Sequence, residues 1–498
     1  MSSVFSDLLC PTKTFSILAA VARNQPDATA IVHQDKNLSY GDLFDAASSF
    51  AAKLAEAGLP SKSVVGLIGS KNIEFVLVFL ALLHRGNPVV PLSPALRSAE
   101  MIELAERLSL IAVCYSEKFS CSLKQGLSAA EVLKLFTWPG VAAVEMIKLR
   151  QGGIIDDRQA ELARLGISSI RLSSGTTGRS KGIMISEDAI WWRAECNSVM
   201  HQVTSDDCII YLVAMDLASP HLIAYFANGA TVVVEEAHNF DAIRRICANH
   251  RVTHVHATPL FYQMITTQPG LSRSDFPCIK YFISTGAPLP AAVADGFHEK
   301  FGSEITQYYG LGECGPVFVN VSNESSKRGA AGVLLPGWEI SFTGRNGSDS
   351  SDIGELLVRG PGLFHGYYDP WQLAKDVLVD GWFSTGDLVR CDQDGYYWIG
   401  GRSKALINVG GTKVFPWEIE NILMTHPDVE EALVYGQRDA RFGEVPHAKV
   451  KARNAASISE RELLRYVNER VSILKNLRKV EFVSALPRTN TGKLKRWE

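Results

Sequence analysis

Between Arg171 and Ser186 the sequence reads RLSSGTTGRSKGIMIS, in which hydroxyls and glycines crowd ahead of a lysine. Ser173, Ser174, Thr176 and Thr177 offer hydroxyl donors, and Lys181 adds a mobile positive charge. Gly175 and Gly178 let backbone N–H groups turn toward an anion. Such a set suits the phosphates of a nucleotide. Its order, GxxGxxKG, differs from the GxxxxGK[ST] of the P-loop NTPases, so the scaffold must be another one. The competing explanation is a flexible surface loop rich in serine and glycine. The convergence of three donor types on one ligand class weighs against it.

Other stretches carry groups that are individually ordinary. QYYGLGECG (307–315) holds a glutamate that could simply be solvated, and STGAPLP (284–290) follows a strand-like run. GWFSTGDLVR (381–390) contains a TGD that alone is only a turn. The Gly-Gly of GRSKALINVGGTKVFPWEIE (401–420) and the lysine of LPRTNTGKLKR (486–496) would by default be surface features. Together with the 171–186 segment, and in this order, they resemble the motifs of the AMP-forming adenylate superfamily: acyl-CoA synthetases, peptide-synthetase adenylation domains and luciferases. The resemblance covers nearly the whole chain.

That resemblance implies a role for each residue. Ser173–Gly178 and Lys181 would hold the β- and γ-phosphates of ATP, and Gly286 and Ala287 would lie beside the adenine. Tyr308, Tyr309 and Gly310 would line the nucleotide and acyl site, and Glu313 would help hold Mg²⁺. Asp387 would accept both ribose hydroxyls in a bidentate manner. Arg402 would contact ribose or phosphate, Lys404 would sit at a hinge, and Gly410 and Gly411 would lie where the thiol of CoA approaches. Lys493 would bridge carboxylate and phosphate oxygens as they meet, making it the principal catalytic residue beside Lys181 and Glu313. Two departures stand out: Ser180 replaces the usual proline, and Gly312 replaces a threonine whose hydroxyl would lie near the α-phosphate.

Which acid is activated stays open. Asp216 stands thirteen residues before Gly229-Ala230, the spacing at which amino-acid adenylation domains bind the substrate ammonium. It could equally cap a helix starting at Leu217. TKVFPWEIE, in contrast, resembles acyl-CoA synthetases. By the resemblance the acyl pocket comprises Asp216, Leu217, Pro220, Ile283, Thr285, Tyr308, Pro316 and Val317, mostly apolar with a polar tip, and His221 has no assigned place. The acceptor could be CoA, the phosphopantetheine of a carrier protein or an amine. No carrier domain follows Lys493, so a carrier is expected to be a separate polypeptide. A nucleotide-binding regulatory protein that has lost turnover is the non-enzymatic alternative, with Gly312 its sole support.

The elements that must position these groups are legible in outline. SVVGLIGS (63–70), PVVPLS (88–93), CIIYLVA (208–214), ATVVVEE (230–236) and THVHAT (253–258) read as buried strands. Tyr40–Ala57 and Asp241–His250 read as helices, and Phe75–Leu83 as a buried helix too short to span a bilayer. The alternation predicts an α/β fold with largely parallel sheets. At 498 residues the chain must divide. Residues 1–402 are expected to form an acyl- and ATP-binding domain with a β-rich part at about 330–400, and 403–498 a small mobile α+β domain. A net charge of −3 gives no global attraction to nucleic acid or an anionic membrane. The nine cysteines are scattered without CxxC or zinc spacing and no leader pattern opens the chain, so a cytoplasmic setting is expected.

Overall fold

Short β-branched runs with hydrophobic flanks can be buried on both faces only inside a stack of layers, and the chain folds as one. The structure, a computed structural model, describes residues 12–34, 36–117, 131–136, 142–149, 157–173, 180–214, 219–235, 239–343, 353–453 and 458–487. One nine-stranded sheet has six parallel strands at its centre, in the spatial order Ile305–Leu311, Tyr281–Ser284, His254–Ala257, Cys208–Tyr211, Thr231–Val233 and Thr29–His33. Antiparallel strands close its edges, among them Gly315–Asn320, which forms a hairpin with Ile305–Leu311. A second nine-stranded sheet has a parallel centre of Ile167–Leu172, Val89–Leu92, Val65–Ile68 and Ala112–Ser116. Gly182–Ser186 pairs antiparallel with Ile167–Leu172, so the segment 173–181 joins two neighbouring strands.

Four helices fill the space between these sheets: Tyr40–Glu56, Ile73–His84, Glu187–Met200 and Ser219–Ala227. Their apolar residues, such as Phe50, Phe79, Ile190 and Phe226, share one core with Ile31 and Tyr211 of the first sheet and Leu67 and Ile183 of the second. Ile73–His84 is buried over all but its last residue, as its composition predicts. Its one acidic side chain, Glu74, is tolerated there because the Ala142 N–H donates to Oε1 at 2.7 Å. No helix among the described residues is long and apolar enough to cross a membrane. The outer faces carry separate cores, under Pro259–Thr267 and Ala291–Phe301 on one side and Ser98–Arg107 on the other.

Past residue 330 the predicted β-rich part is a four-stranded antiparallel sheet of Glu339–Thr343, Gly354–Arg359, Phe383–Cys391 and Tyr397–Arg402. One detail differs from the sequence reading. Gly366–Tyr367 leaves this part and pairs with Ile183 at the edge of the second sheet, which delivers Tyr367 to the end of the 173–181 segment. The C-terminal domain has its own five-stranded sheet, with a core that includes Ile407, Ile419, Val434, Val450 and Leu463.

Candidate active site

The antiparallel pairing of Ile167–Leu172 with Gly182–Ser186 brings Ser173 and Lys181 side by side. The Ser173 N–H donates to the Lys181 carbonyl at 2.8 Å, and the Lys181 N–H donates to Ser173 Oγ at 2.8 Å. The glycine-rich segment is therefore pinched at its base. Ser174, Gly175, Thr176, Thr177 and Gly178 lie outside the described residues. The Lys181 ammonium sits 4.3 Å from the centre of the Tyr367 ring, and the Tyr367 hydroxyl donates to Glu313 Oε1 at 3.0 Å. One phenol thus joins the expected phosphate-binding lysine to the expected metal-binding glutamate. Burial, with the Glu313 charge added, raises the Tyr367 pKa far above its usual range and keeps it a donor.

Glu313 lies at the tip of the hairpin between Ile305–Leu311 and Gly315–Asn320, and that tip is held from behind by Arg193. This arginine is 1% exposed on the helix Glu187–Met200. Its Nη1 donates to the Gly312 carbonyl at 3.0 Å and its Nη2 to the Glu313 carbonyl at 3.1 Å; Nε and Nη2 both reach the Gly362 carbonyl, at 3.0 and 2.6 Å. Burial, and then the nearby Arg171 charge, brings its pKa down to about 9, which leaves it a cation at neutral pH. The backbone must approach closely. Gly315 has φ +74°, and a Cβ there would lie 2.6 Å from Arg193 Cγ. Neither Arg193 nor Tyr367 belongs to a motif. The signal for Arg193 was no more than an arginine following two tryptophans in the helix stretch WWRAEC.

Four residues before Glu313, Tyr309 donates to Asp387 Oδ2 at 2.5 Å. Asp387 stands opposite Arg402 in the antiparallel pair Phe383–Cys391 and Tyr397–Arg402, and Arg402 Nε lies 2.6 Å from Asp387 Oδ1. The carboxylate is almost fully buried and the arginine is half exposed. Burial, and next the Asp387 charge, raises the Tyr309 pKa well above its usual value, so its proton stays on. A carboxylate is the kind of group that can accept from both hydroxyls of a cis-diol. Two short chains of contacts result, Lys181–Tyr367–Glu313 and Tyr309–Asp387–Arg402, joined through the backbone of the hairpin that carries Tyr309 and Glu313. Gly310 serves the same hairpin: a Cβ there would lie 2.1 Å from the Gly315 carbonyl oxygen.

On the acyl side, Tyr308 bonds to His221 Nε2 at 2.7 Å and also hydrogen-bonds Thr285, while His221 Nδ1 lies 3.3 Å from the Tyr211 hydroxyl. His221, unplaced by sequence, thus joins Tyr308 and Thr285. Thr285 follows the strand Tyr281–Ser284 and leads into Gly286, at φ +89°, and the exposed Ala287. Ile283 and Pro220 are buried. The Pro316 carbonyl accepts from Trp338 Nε1 at 2.7 Å, and Val317 is wholly buried in the central core. Asp216, Leu217 and Lys493 lie outside the described residues. Lys404 is exposed in the one-turn helix Ser403–Ala405. Gly410 (φ +58°) and Gly411 (φ +91°) form an exposed turn held by the Phe442 carbonyl and Asn408 Oδ1. Among the described residues, no hydrogen bond ties these glycines to Lys181, Glu313 or Asp387. No cluster of three or more His, Cys, Asp or Glu able to hold a metal unaided occurs among the described residues.

Comparison with known proteins finds relatives along nearly the whole chain. Residues 18–368 match the sequence profile described as AMP-binding enzyme, and residues 418–493 that of the AMP-binding enzyme C-terminal domain. The indoleacetate–CoA ligase of Aromatoleum aromaticum is 29% identical over 487 residues, covering 95% of this chain and 94% of the relative. A feruloyl-CoA synthase from an Amycolatopsis species is 29% identical over 490 residues, 96% of each chain. Among solved structures, ATP-bound MatB from Rhodopseudomonas palustris superimposes with a TM-score of 0.82 at 26% identity over 97% of both chains. The amide bond synthetase McbA from Marinactinospora thermotolerans shares the fold, with a TM-score of 0.83 at 23% identity.

Proposed function

This chain belongs to the AMP-binding enzyme family, and we infer that its substrate within that family is a ring-bearing carboxylic acid. The protein is an AMP-forming acid–thiol ligase: it joins a carboxylic acid to AMP with release of pyrophosphate, then passes the acyl group to the thiol of coenzyme A. Support for a ring-bearing acid comes from its relatives, named as ligases of indoleacetate, ferulate, coumarate and succinylbenzoate. The observation that supports the assignment of residues is the pair of contact chains Lys181–Tyr367–Glu313 and Tyr309–Asp387–Arg402, which meet on one hairpin and gather cations with two carboxylates.

A carboxylate is a poor acyl donor because its leaving group would be oxide. Attack on the α-phosphate of ATP replaces oxide with AMP, so the protein's task is positioning and charge compensation. Asp387 accepts the ribose hydroxyls, with Tyr309 and Arg402 fixing its orientation. Lys181 and the 173–178 segment meet the β- and γ-phosphates. Glu313 suits Mg²⁺: a single carboxylate is too few ligands for a hard cation alone, and magnesium characteristically completes its shell with substrate phosphates and water. When bound there it would neutralise phosphate charge.

Two steps with different needs call for two arrangements. We place the hinge at Lys404, with residues 1–402 and 403–498 as the two bodies, and assign Lys493 to the first half-reaction and Gly410-Gly411 to the second. A cytoplasmic setting belongs to the same reading, supported by the unpaired cysteines among the described residues. The test is acid-dependent pyrophosphate release over aryl, cyclic, alkyl and amino acids, followed by CoA, a carrier protein or an amine with the best acid and product mass. Preference for an amino acid, or amide formation in place of the thioester, would refute the substrate or acceptor assigned here. Lys493→Ala should slow adenylation by about 10²–10³-fold, the scale for losing one charge-stabilising donor. It should leave thioester formation from supplied acyl-adenylate nearly intact, and equal damage to both would rule out the two-arrangement scheme.

A further inference from the structure

Four buried imidazoles gather on the face of the first sheet that looks toward the helices Glu187–Met200 and Ser219–Ala227. Val255 and Ala257 pack into the core on the far side, so the alternating neighbours His254 and His256 face this one. His201 follows the first helix and His221 lies on the second. His201, His254 and His256 are 0% exposed and His221 6%. The ring centres of His221 and His256 are 4.6 Å apart, and those of His201 and His256 are 6.1 Å apart. The Tyr308 ring lies 6.2 Å from His201 and 6.1 Å from His256.

Counting hydrogen bonds separates these rings into two kinds. His254 uses both nitrogens, on Thr253 Oγ1 and the His201 carbonyl at 2.8 Å each, and His221 uses both on tyrosine hydroxyls. His256 uses only Nδ1, 2.7 Å from the Tyr225 hydroxyl. Among the described residues, His256 Nε2 and both nitrogens of His201 have no hydrogen-bond partner. Burial, and then the neighbouring imidazoles, drives both pKa values well below the usual histidine range, so each ring carries one proton. With Tyr225 as the donor to His256 Nδ1, that ring's proton lies on Nε2, which meets no partner among the described residues. His201 holds a further donor and an acceptor. Leaving a buried donor without a partner is costly, and native folds keep few of them.

The cluster is continuous with the expected acid pocket. His256 is in register with Ile283 on the adjoining strand, and Tyr308 and Thr285 bond to each other beside it. We propose that His256 and His201 form the far end of that pocket and receive an uncharged oxygen, a hydroxyl or keto group, on the part of the acid remote from its carboxylate. The proposal rests on the reading of the protein as an acid-activating ligase. A keto oxygen takes the His256 Nε2 proton, and a hydroxyl can in addition donate to the free nitrogen of His201. An ammonium or a second carboxylate would meet neutral imidazoles and phenols from this cluster.

Matched acids test this: phenylpropanoate against its para-hydroxy form, and cyclohexylpropanoate against its para-keto form. In pyrophosphate release the oxygenated member should be favoured about 10–100-fold in kcat/KM, the discrimination expected when its absence leaves a buried donor unpaired. His256→Phe should bring the ratio close to one, and His256→Asn, which keeps a donor, should retain part of it. His201→Phe is the second variant should either of these not fold. Equal kcat/KM for both members in the native enzyme, a ratio that survives both phenylalanine variants, or a preference for amino acids would overturn the proposal. Calorimetric binding of the same acids needs no turnover. Tighter binding of the oxygenated member without pyrophosphate release would reject the ligase reading and keep the subsite. Equal or absent binding of both members would reject the subsite.

Discussion

Asp387 has three competing demands on two oxygens, and the outcome can be measured. Tyr309 and Arg402 already hold it, and in the proposed reading a ribose diol joins them. Replacement by asparagine keeps the shape but turns one acceptor oxygen into a donor and removes the charge facing Arg402. Asp387→Asn should therefore raise the KM for ATP about 10–100-fold, the range for hydrogen bonds to a charged group, with kcat less affected. A variant with unchanged KM for ATP would take the diol away from Asp387. Gly312 poses the opposite question, what a missing side chain permits. A Cβ built there lies 2.6 Å from Ile183 Cδ1, the end of a flexible side chain, and 4.0 Å from Ile183 Cγ1. The expected threonine is thus excluded by a single methyl group. Gly312→Thr should destabilise the protein by about 1–3 kcal/mol through overpacking, and Ile183→Val in the same chain should recover most of that loss in thermal unfolding. If the hydroxyl then reaches the α-phosphate, the double variant should exceed Ile183→Val in kcat/KM for ATP by about tenfold. Equal stability of the two Gly312→Thr chains would show that Ile183 is not the obstacle.

At the scale of elements, the hairpin that carries Tyr309 and Glu313 depends on a helix that shares no motif with it. Arg193 crosses from Glu187–Met200 to bind the carbonyls of Gly312, Glu313 and Gly362, so it ties the hairpin tip to the loop before Tyr367. Arg193→Met should leave three acceptors short of a donor in a buried place, costing about 1–3 kcal/mol for each that stays unsatisfied. Denaturant unfolding should register the loss, and ATP affinity should fall with it because Glu313 and Tyr367 lose their common anchor. A stable Arg193→Met protein with native affinity would make the arginine a passenger. This contact also marks where sequence stops being informative. The strands Val65–Ile68 and Val89–Leu92 were legible because burial on both faces demands continuous apolar runs. Ser173 and Lys181 stood out by residue type, whereas Glu313 and Asp387 were assigned only through the resemblance of their motifs, since each is ordinary taken alone. Arg193, Tyr367 and His256 satisfy needs that arise only after folding, a hairpin to be held and a pocket end to be made polar. Their partners lie 119, 54 and 31 residues away in the chain, beyond any local pattern. The detour of Gly366–Tyr367 to the second sheet was missed for the same reason, since a two-residue strand has no periodicity to read.

The molecule as a whole pays for its buried imidazoles in acid. His84, packed against Phe15 with ring centres 3.7 Å apart, is brought down to about 4 by burial and then by the Arg85 charge. His201 and His256 move the same way, as does His254, in each case chiefly through burial. In the unfolded chain each would take up a proton near pH 6.5, whereas the native protein refuses it until far lower pH. The unfolded state therefore binds more protons, and stability must rise with pH through this window. The contribution is fully present above about pH 6.5 and is lost as pH falls toward 4, at about 1.4 kcal/mol per pH unit for each group that stays neutral in the fold. Carboxylates act lower on the scale. Against burial, which raises it, hydrogen bonds from Trp398, Lys327 and the Tyr396 N–H hold Asp392 at about 2, so its share is lost only below the usual carboxylate range near pH 4. Between pH 6.5 and 5 the histidines thus stand alone. Urea unfolding midpoints should drop steeply over that interval, and the drop should be shallower in a chain carrying both His201→Phe and His256→Phe. Midpoints that stay level from pH 7 to 5, or an equal slope in the double variant, would mean that these rings accept protons inside the fold, and with that the neutral donors at the end of the acid pocket would be lost as well.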